Sequence, residues 1–79
     1  MTNLDEKIAR FCAEYGLSPQ QGKVFASFIR GALSNEALGR ALAMRQWTLR
    51  KHLDRIAQKT MTRSRTELLY LFFTGGRGD

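Results

Sequence analysis

Residues 34–59 read Ser34-Asn35-Glu36-Ala37-Leu38-Gly39-Arg40-Ala41-Leu42-Ala43-Met44-Arg45-Gln46-Trp47-Thr48-Leu49-Arg50-Lys51-His52-Leu53-Asp54-Arg55-Ile56-Ala57-Gln58-Lys59. Two helical patterns meet here across a tight junction. The first starts at Ser34 or Asn35, both good N-caps, and turns Leu38 and Leu42 to one side. The second runs from about Gln46 to Lys59, with Leu49, Leu53 and Ile56 recurring at i, i+4, i+7. Its other side carries Trp47, Arg50, Lys51, Asp54 and Gln58. Ala43-Met44-Arg45 is the turn, and Met44 is predicted to plug the core between the helices. Gly39 sits in the middle of the first helix at a cost of about 1 kcal/mol against alanine, which a close helix crossing would justify. A short helix, a tight turn and a basic amphipathic helix describe a helix-turn-helix unit.

The flanking segments read as helices too, with no repeats and no strand-like alternation. On the N-terminal side Ser18, Pro19 and Gln21 form a cap, a first-turn proline and a capping box. Val24, Phe25, Phe28 and Ile29 then face inward, and Gly31 is predicted to stop that helix in a left-handed conformation. Before it, Thr2 or Asn3 caps a first helix over about 3–15, with Leu4, Ile8, Phe11, Cys12 and Tyr15 on one stripe and Gly16 at its end. On the C-terminal side a second capping box, Ser64 with Glu67, opens a fifth helix through Leu68-Leu69-Tyr70-Leu71-Phe72-Phe73. Residues 74–79 are predicted to be a flexible tail. The expected fold class is all-α.

Size and charge narrow what such a chain does. Its 79 residues make one small domain. Cys12 is the single cysteine and His52 the single histidine, so neither a disulfide framework nor a zinc spacing exists. The lone thiol suits a reducing cytosol. No signal peptide is visible at the start, and the longest apolar run, residues 68–73, is too short for a bilayer. The expected location is cytoplasmic, with no membrane partner. Net charge is +6, unevenly spread. Residues 23–65 hold ten Lys and Arg against Glu36 and Asp54, a local excess of +8. Segregated positive charge is a footprint for a polyanion, although a solvated basic surface without a partner would read the same way.

Residues 17–70 resemble the LuxR/GerE-type DNA-binding domain. The resemblance is carried by Leu17-Ser18-Pro19, Gly31 with Ser34-Asn35, Leu38 with Leu42, Thr48-Leu49-Arg50-x-His52, Ile56-x-x-Lys59 and Ser64-Arg65-Thr66-Glu67-Leu68. No piece is diagnostic alone; their order and spacing together are quite specific. The resemblance implies four helices with a central helix-turn-helix, so that residues 1–16 add an N-terminal helix and 17–73 form the domain. It implies a scaffold helix over about 35–42, a reading helix over 46–59 and a homodimer helix over 65–73. It also suggests a bacterial or phage origin. The chain departs from the family pattern in one extra residue between Gly31 and Asn35, in Gln20-Gln21, in Arg45 at the reading-helix cap, in Asp54, and in Thr60-Met61-Thr62 where Leu-x-Val is usual.

Carried over, the resemblance places Arg50, Lys51 and Asp54 at base edges. Arg and Lys donate to guanine, and Asp accepts from cytosine N4. Asp54 alternatively pairs with Lys51 or Arg50 one turn back. Trp47 either packs on a sugar or thymine methyl, or covers the seam to the scaffold helix. Ser34, Asn35, Arg45, Thr48, Arg55 and Lys59 are the phosphate candidates. Leu68, Leu69, Tyr70, Phe72 and Phe73 are the dimer-interface candidates. Six consecutive large apolar residues cover a whole helix circumference, so some must face outward. The first helix, with Phe11 and Tyr15, is the competing cover. His52 is expected to be a half-buried structural imidazole or a phosphate contact, and Cys12 a small core residue.

No nucleophile–base pair, paired carboxylates or phosphate loop is present. The sequence calls for no cofactor, no metal and no enzyme activity. The expected function is a small stand-alone transcriptional regulator binding double-stranded DNA as a homodimer. The alternative is a protein-interaction module that heterodimerises with, and inhibits, a larger LuxR-type regulator. RNA polymerase is a further candidate partner.

Overall fold

The computed structural model describes residues 3–74. They form five helices: α1 (Leu4–Tyr15), α2 (Pro19–Ile29), α3 (Asn35–Leu42), α4 (Gln46–Thr60) and α5 (Arg65–Phe73). No strand occurs among the described residues. Each helix but α4 starts on a polar cap. Asn3 Oδ1 accepts from the Glu6 N–H at 2.8 Å, and Ser34 Oγ accepts from Ala37 N–H at 3.0 Å. Ser18 and Gln21 exchange both bonds of the capping box, at 3.2 and 3.0 Å. At α5 only half of the expected box forms: Ser64 Oγ accepts from Glu67 N–H at 3.1 Å, and Ser64 N–H donates no bond to the Glu67 side chain.

Gly16 closes α1 in the left-handed region at φ 67°. Gly31 follows the C-cap Arg30 and stops α2 as expected: it takes φ 120°, a conformation closed to most side chains, its N–H donates to Phe28 O at 3.1 Å, and Ala32 N–H donates to Ser27 O at 3.0 Å. Thr74 belongs to the end of α5 rather than to a tail, since its Oγ1 donates to Tyr70 O at 2.8 Å. The rest of the expected tail, residues 75–79, lies outside the described residues.

One core joins all five helices. It comprises Ile8 and Phe11 of α1, Val24, Phe25 and Phe28 of α2, Leu38 of α3, Leu49 and Ile56 of α4, and Leu68, Leu71 and Phe72 of α5. Phe11 stacks on Phe25 with centroids 4.6 Å apart, and Phe72 meets both rings edge-on at 5.6 and 5.5 Å. The first helix is therefore part of the core, through Ile8 and Phe11. It also settles which element covers α5. Phe72 is 1 % exposed, beneath Phe11 and with Lys7 Nζ 5.0 Å from its ring centroid.

This burial corrects the expected dimer interface. Leu68 and Phe72 are core residues and present no surface to a partner. Tyr70 and Phe73 remain outside, at 71 % and 60 % exposed, and Leu69 is half-buried. A helix packed on one side buries about half its circumference, which is the division seen here.

Thr60-Met61-Thr62 has a physical explanation. Both threonines are buried, and their hydroxyls lie 2.9 Å apart. Thr60 Oγ1 also donates to Ile56 O at 2.8 Å. A hydrogen-bonded hydroxyl pair is thus buried at little desolvation cost. Met61 between them turns the chain at φ 56°.

Phe11→Ala tests the integration of α1. Urea unfolding should show a loss of about 3–5 kcal/mol. A loss below about 1 kcal/mol would instead mean that α1 is a dispensable addition.

Candidate nucleic-acid interface

The α3–α4 pair is built on a close approach at Gly39. A Cβ there would lie 2.5 Å from Gln46 Nε2 and 3.1 Å from the Met44 carbonyl oxygen. The missing side chain makes room for Gln46, whose Nε2 donates to the Asn35 carbonyl at 3.1 Å. One glutamine thus fastens the start of α4 to the start of α3. The turn between them passes through Ala43 in the left-handed region at φ 50°, with Met44 half-buried against the core as expected. Arg45, the N-cap of α4, makes no side-chain cap bond, leaving its guanidinium exposed beside the first turn.

Side chains follow about 100° per residue around α4. Leu49, Ile56 and Thr60 are buried and define its inner side. Trp47, Lys51, Asp54 and Gln58 fall on the opposite side and are all exposed. Trp47 is 62 % exposed, so it does not seal the seam to α3; Lys51 Nζ stands 5.2 Å from its ring centroid. This cation–π contact holds the ammonium over the outward face. Asp54 forms no ion pair with Arg50 or Lys51, so the alternative of an intrahelical pair is not realised.

Arg50 lies on one flank. It lines a crevice of about 300 Å³ with Asn35, Gln46 and Trp47, and a second of about 230 Å³ that reaches the start of α5. Thr48, half-buried, and Arg55, exposed, lie on the other flank. Ser34 is occupied as the α3 cap, while Asn35 Oδ1 is a buried acceptor with no hydrogen-bond partner.

Lys59, one of the phosphate candidates, is exposed, and its Nζ donates to the Gly16 carbonyl at 2.8 Å and to Gln21 Oε1 at 2.7 Å. It ties the end of α4 to the α1–α2 corner, away from the outward face. The same Gln21 that completes the capping box is the anchor, so one side chain serves two joints. Arg65 has a comparable task, donating from Nη1 to the Leu33 carbonyl at 2.7 Å. That bond steadies the connection carrying the extra residue between Gly31 and Asn35.

Gln46, Arg63 and Arg65 were absent from the sequence-based site. Gln46 had one readable signal, a mid-helix glycine in the facing helix that leaves space for a long polar side chain. Arg63 sits in the α4–α5 connection and Arg65 at the first position of α5, and where both point follows only from the packing of α5.

His52 is half-buried, and Cys12 is half-buried with burial raising its thiol pKa, which suits a packing residue better than a reactive thiolate. Among the described residues no group of three or more His, Cys, Asp or Glu is placed to hold a metal ion. No described helix is long and apolar enough to cross a membrane. Compared with protein-family models, curated proteins and solved structures, the chain matches none.

Gly39→Ala should destabilise the protein by about 1–2 kcal/mol in chemical denaturation, although alanine is the better helix former. The new methyl would displace Gln46 and press on a backbone carbonyl. A gain in stability would show that the α3–α4 approach is looser than described.

Proposed function

We propose that this chain is a small transcriptional regulator of the LuxR/GerE type that binds duplex DNA through the outward face of α4, as a homodimer. The carrying observation is the composition of that face. Trp47, Lys51, Asp54 and Gln58 are exposed opposite the core, and Arg45, Arg50 and Arg55 surround them. None of these arginines is tied into an ion pair among the described residues. Two exposed arginines elsewhere are paired, Arg30 with Asp5 and Arg40 with Glu36. A helix presented with unpaired cations around apolar and polar readers suits a major groove rimmed by phosphates.

In this reading Lys51 and Arg50 donate to guanine edges and Asp54 accepts from cytosine N4. Trp47 packs on a sugar or a thymine methyl while fixing Lys51. Arg45, Thr48 and Arg55 contact phosphates on either side, with Ser34 and Asn35 at the start of α3. The account invokes no covalent chemistry and no cofactor.

Dimerisation would use what α5 leaves exposed. Thr66, Tyr70 and Phe73 follow one another at helical spacing on its outer side. A two-fold pairing of this stripe would set two reading helices about 34 Å apart, one turn of DNA, on a pseudo-palindromic site. The same exposed aromatics support the second reading, capture of a larger regulator through α5. Sedimentation separates the two. Wild-type protein at high micromolar concentration should run as a dimer, and Tyr70→Glu with Phe73→Glu as a folded monomer. A wild-type monomer would remove the homodimer.

Binding should weaken steeply with salt, with log K against log salt falling at roughly −5 if about six phosphates are neutralised. Lys51→Ala should cost about 1–3 kcal/mol on a selected site and relax base preference there, whereas Arg45→Ala should weaken all duplexes alike. Fluorescence anisotropy measures both. Affinity that is flat in salt, or unchanged in a folded Lys51→Ala variant, would exclude this reading.

A further inference from the structure

We propose that the crevice between the starts of α3 and α5 and the middle of α4, which adjoins the outward face of α4 and shares Asp54 with it, is a phosphate-binding site. It is an open space of about 230 Å³. Arg50, Arg63 and Arg65 line it together with a single acidic residue, Asp54, so three cations share the crevice with one acid. They arrive from three segments: α4, the connection after it, and the first residue of α5. One arginine engages a planar carboxylate in a fork, whereas donors converging from several directions suit the tetrahedral oxygens of a phosphate.

The lining is prepared rather than incidental. Arg65 is half-buried and held by its bond to Leu33 O, which leaves its other N–H groups to donate. The Ser64 hydroxyl accepts from Glu67 N–H, so its own hydrogen remains available. Asn35 lines the same crevice, and its Oδ1 lacks a partner. The positive ends of α3 and α5 add to the field.

The phosphate group can come from a DNA backbone or from a free phosphoryl compound; only the first source rests on the DNA reading above. The test therefore begins without DNA. Inorganic phosphate is titrated into the full chain at constant ionic strength, set with chloride, and followed by amide and arginine Nε NMR shifts. Saturable shifts at Asn35, Ser64 and Arg65 are expected. They should weaken about tenfold in Arg63→Gln and persist in Lys23→Gln, which removes the same charge outside the crevice. Shifts that never saturate, or that are equal in both variants, would overturn the proposal. A duplex arm then assigns the source. If Arg63→Gln weakens duplex binding more than Lys23→Gln does, the backbone supplies the phosphate. If the two are equal while inorganic phosphate still saturates the wild type, the site serves a free phosphoryl ligand. Wild-type protein that saturates with phosphate yet binds no duplex would leave this site standing and remove the DNA reading.

Discussion

The packing of Phe25 between Phe11 and Phe72 is the contact on which the other contacts depend. The first pair is stacked and the second edge-on, so three rings fix the first two helices to the last one. Phe25 is completely buried, as are Val24 on the same helix and Leu38 and Leu49 on the helix-turn-helix pair. Removing the aromatic contact would therefore loosen α1 and α5 and, through α2, the platform beneath α4. In a chain of 79 residues without disulfides, each such ring is a large part of a small total.

Upon this apolar centre, polar side chains set the angles. Gln46 reaches Asn35 O, Lys59 reaches Gly16 O and Gln21, and Arg65 reaches Leu33 O. Each is a long side chain from one element meeting a carbonyl or amide oxygen of another. Two of the three start on α4, one at each end. The helix proposed to read DNA is thus fastened at both termini while its outward face stays unencumbered. Such preorganisation lowers the entropy lost when a partner docks.

Much of this was legible in the sequence because it is local. Asn3, Ser18, Ser34 and Ser64 cap the helices as their residue types and spacing predict, and Gly16 ends α1. The apolar positions of α2 and α4 repeat at helical spacing, so their inner faces could be read directly. Residues 68–73 could not be divided that way, since apolar side chains on every side leave no periodicity to follow. Only the arrival of Phe11 decides that Phe72 is inside and Phe73 outside. Lys59 and the Thr60–Thr62 pair were illegible for a related reason: their partners are set by tertiary position, and a lysine bound to a carbonyl looks in sequence like one awaiting a phosphate.

The central claim is that the outward face of α4 is where duplex DNA sits. Amide chemical-shift mapping at low salt, with a random-sequence duplex added stepwise, tests it most directly. The account predicts the largest changes at Trp47, including its indole N–H, and at Lys51, Asp54 and Gln58, with α1 little affected. Changes concentrated on Tyr70, Phe73 and α1 while α4 stays unmoved, or no changes at all, would contradict it.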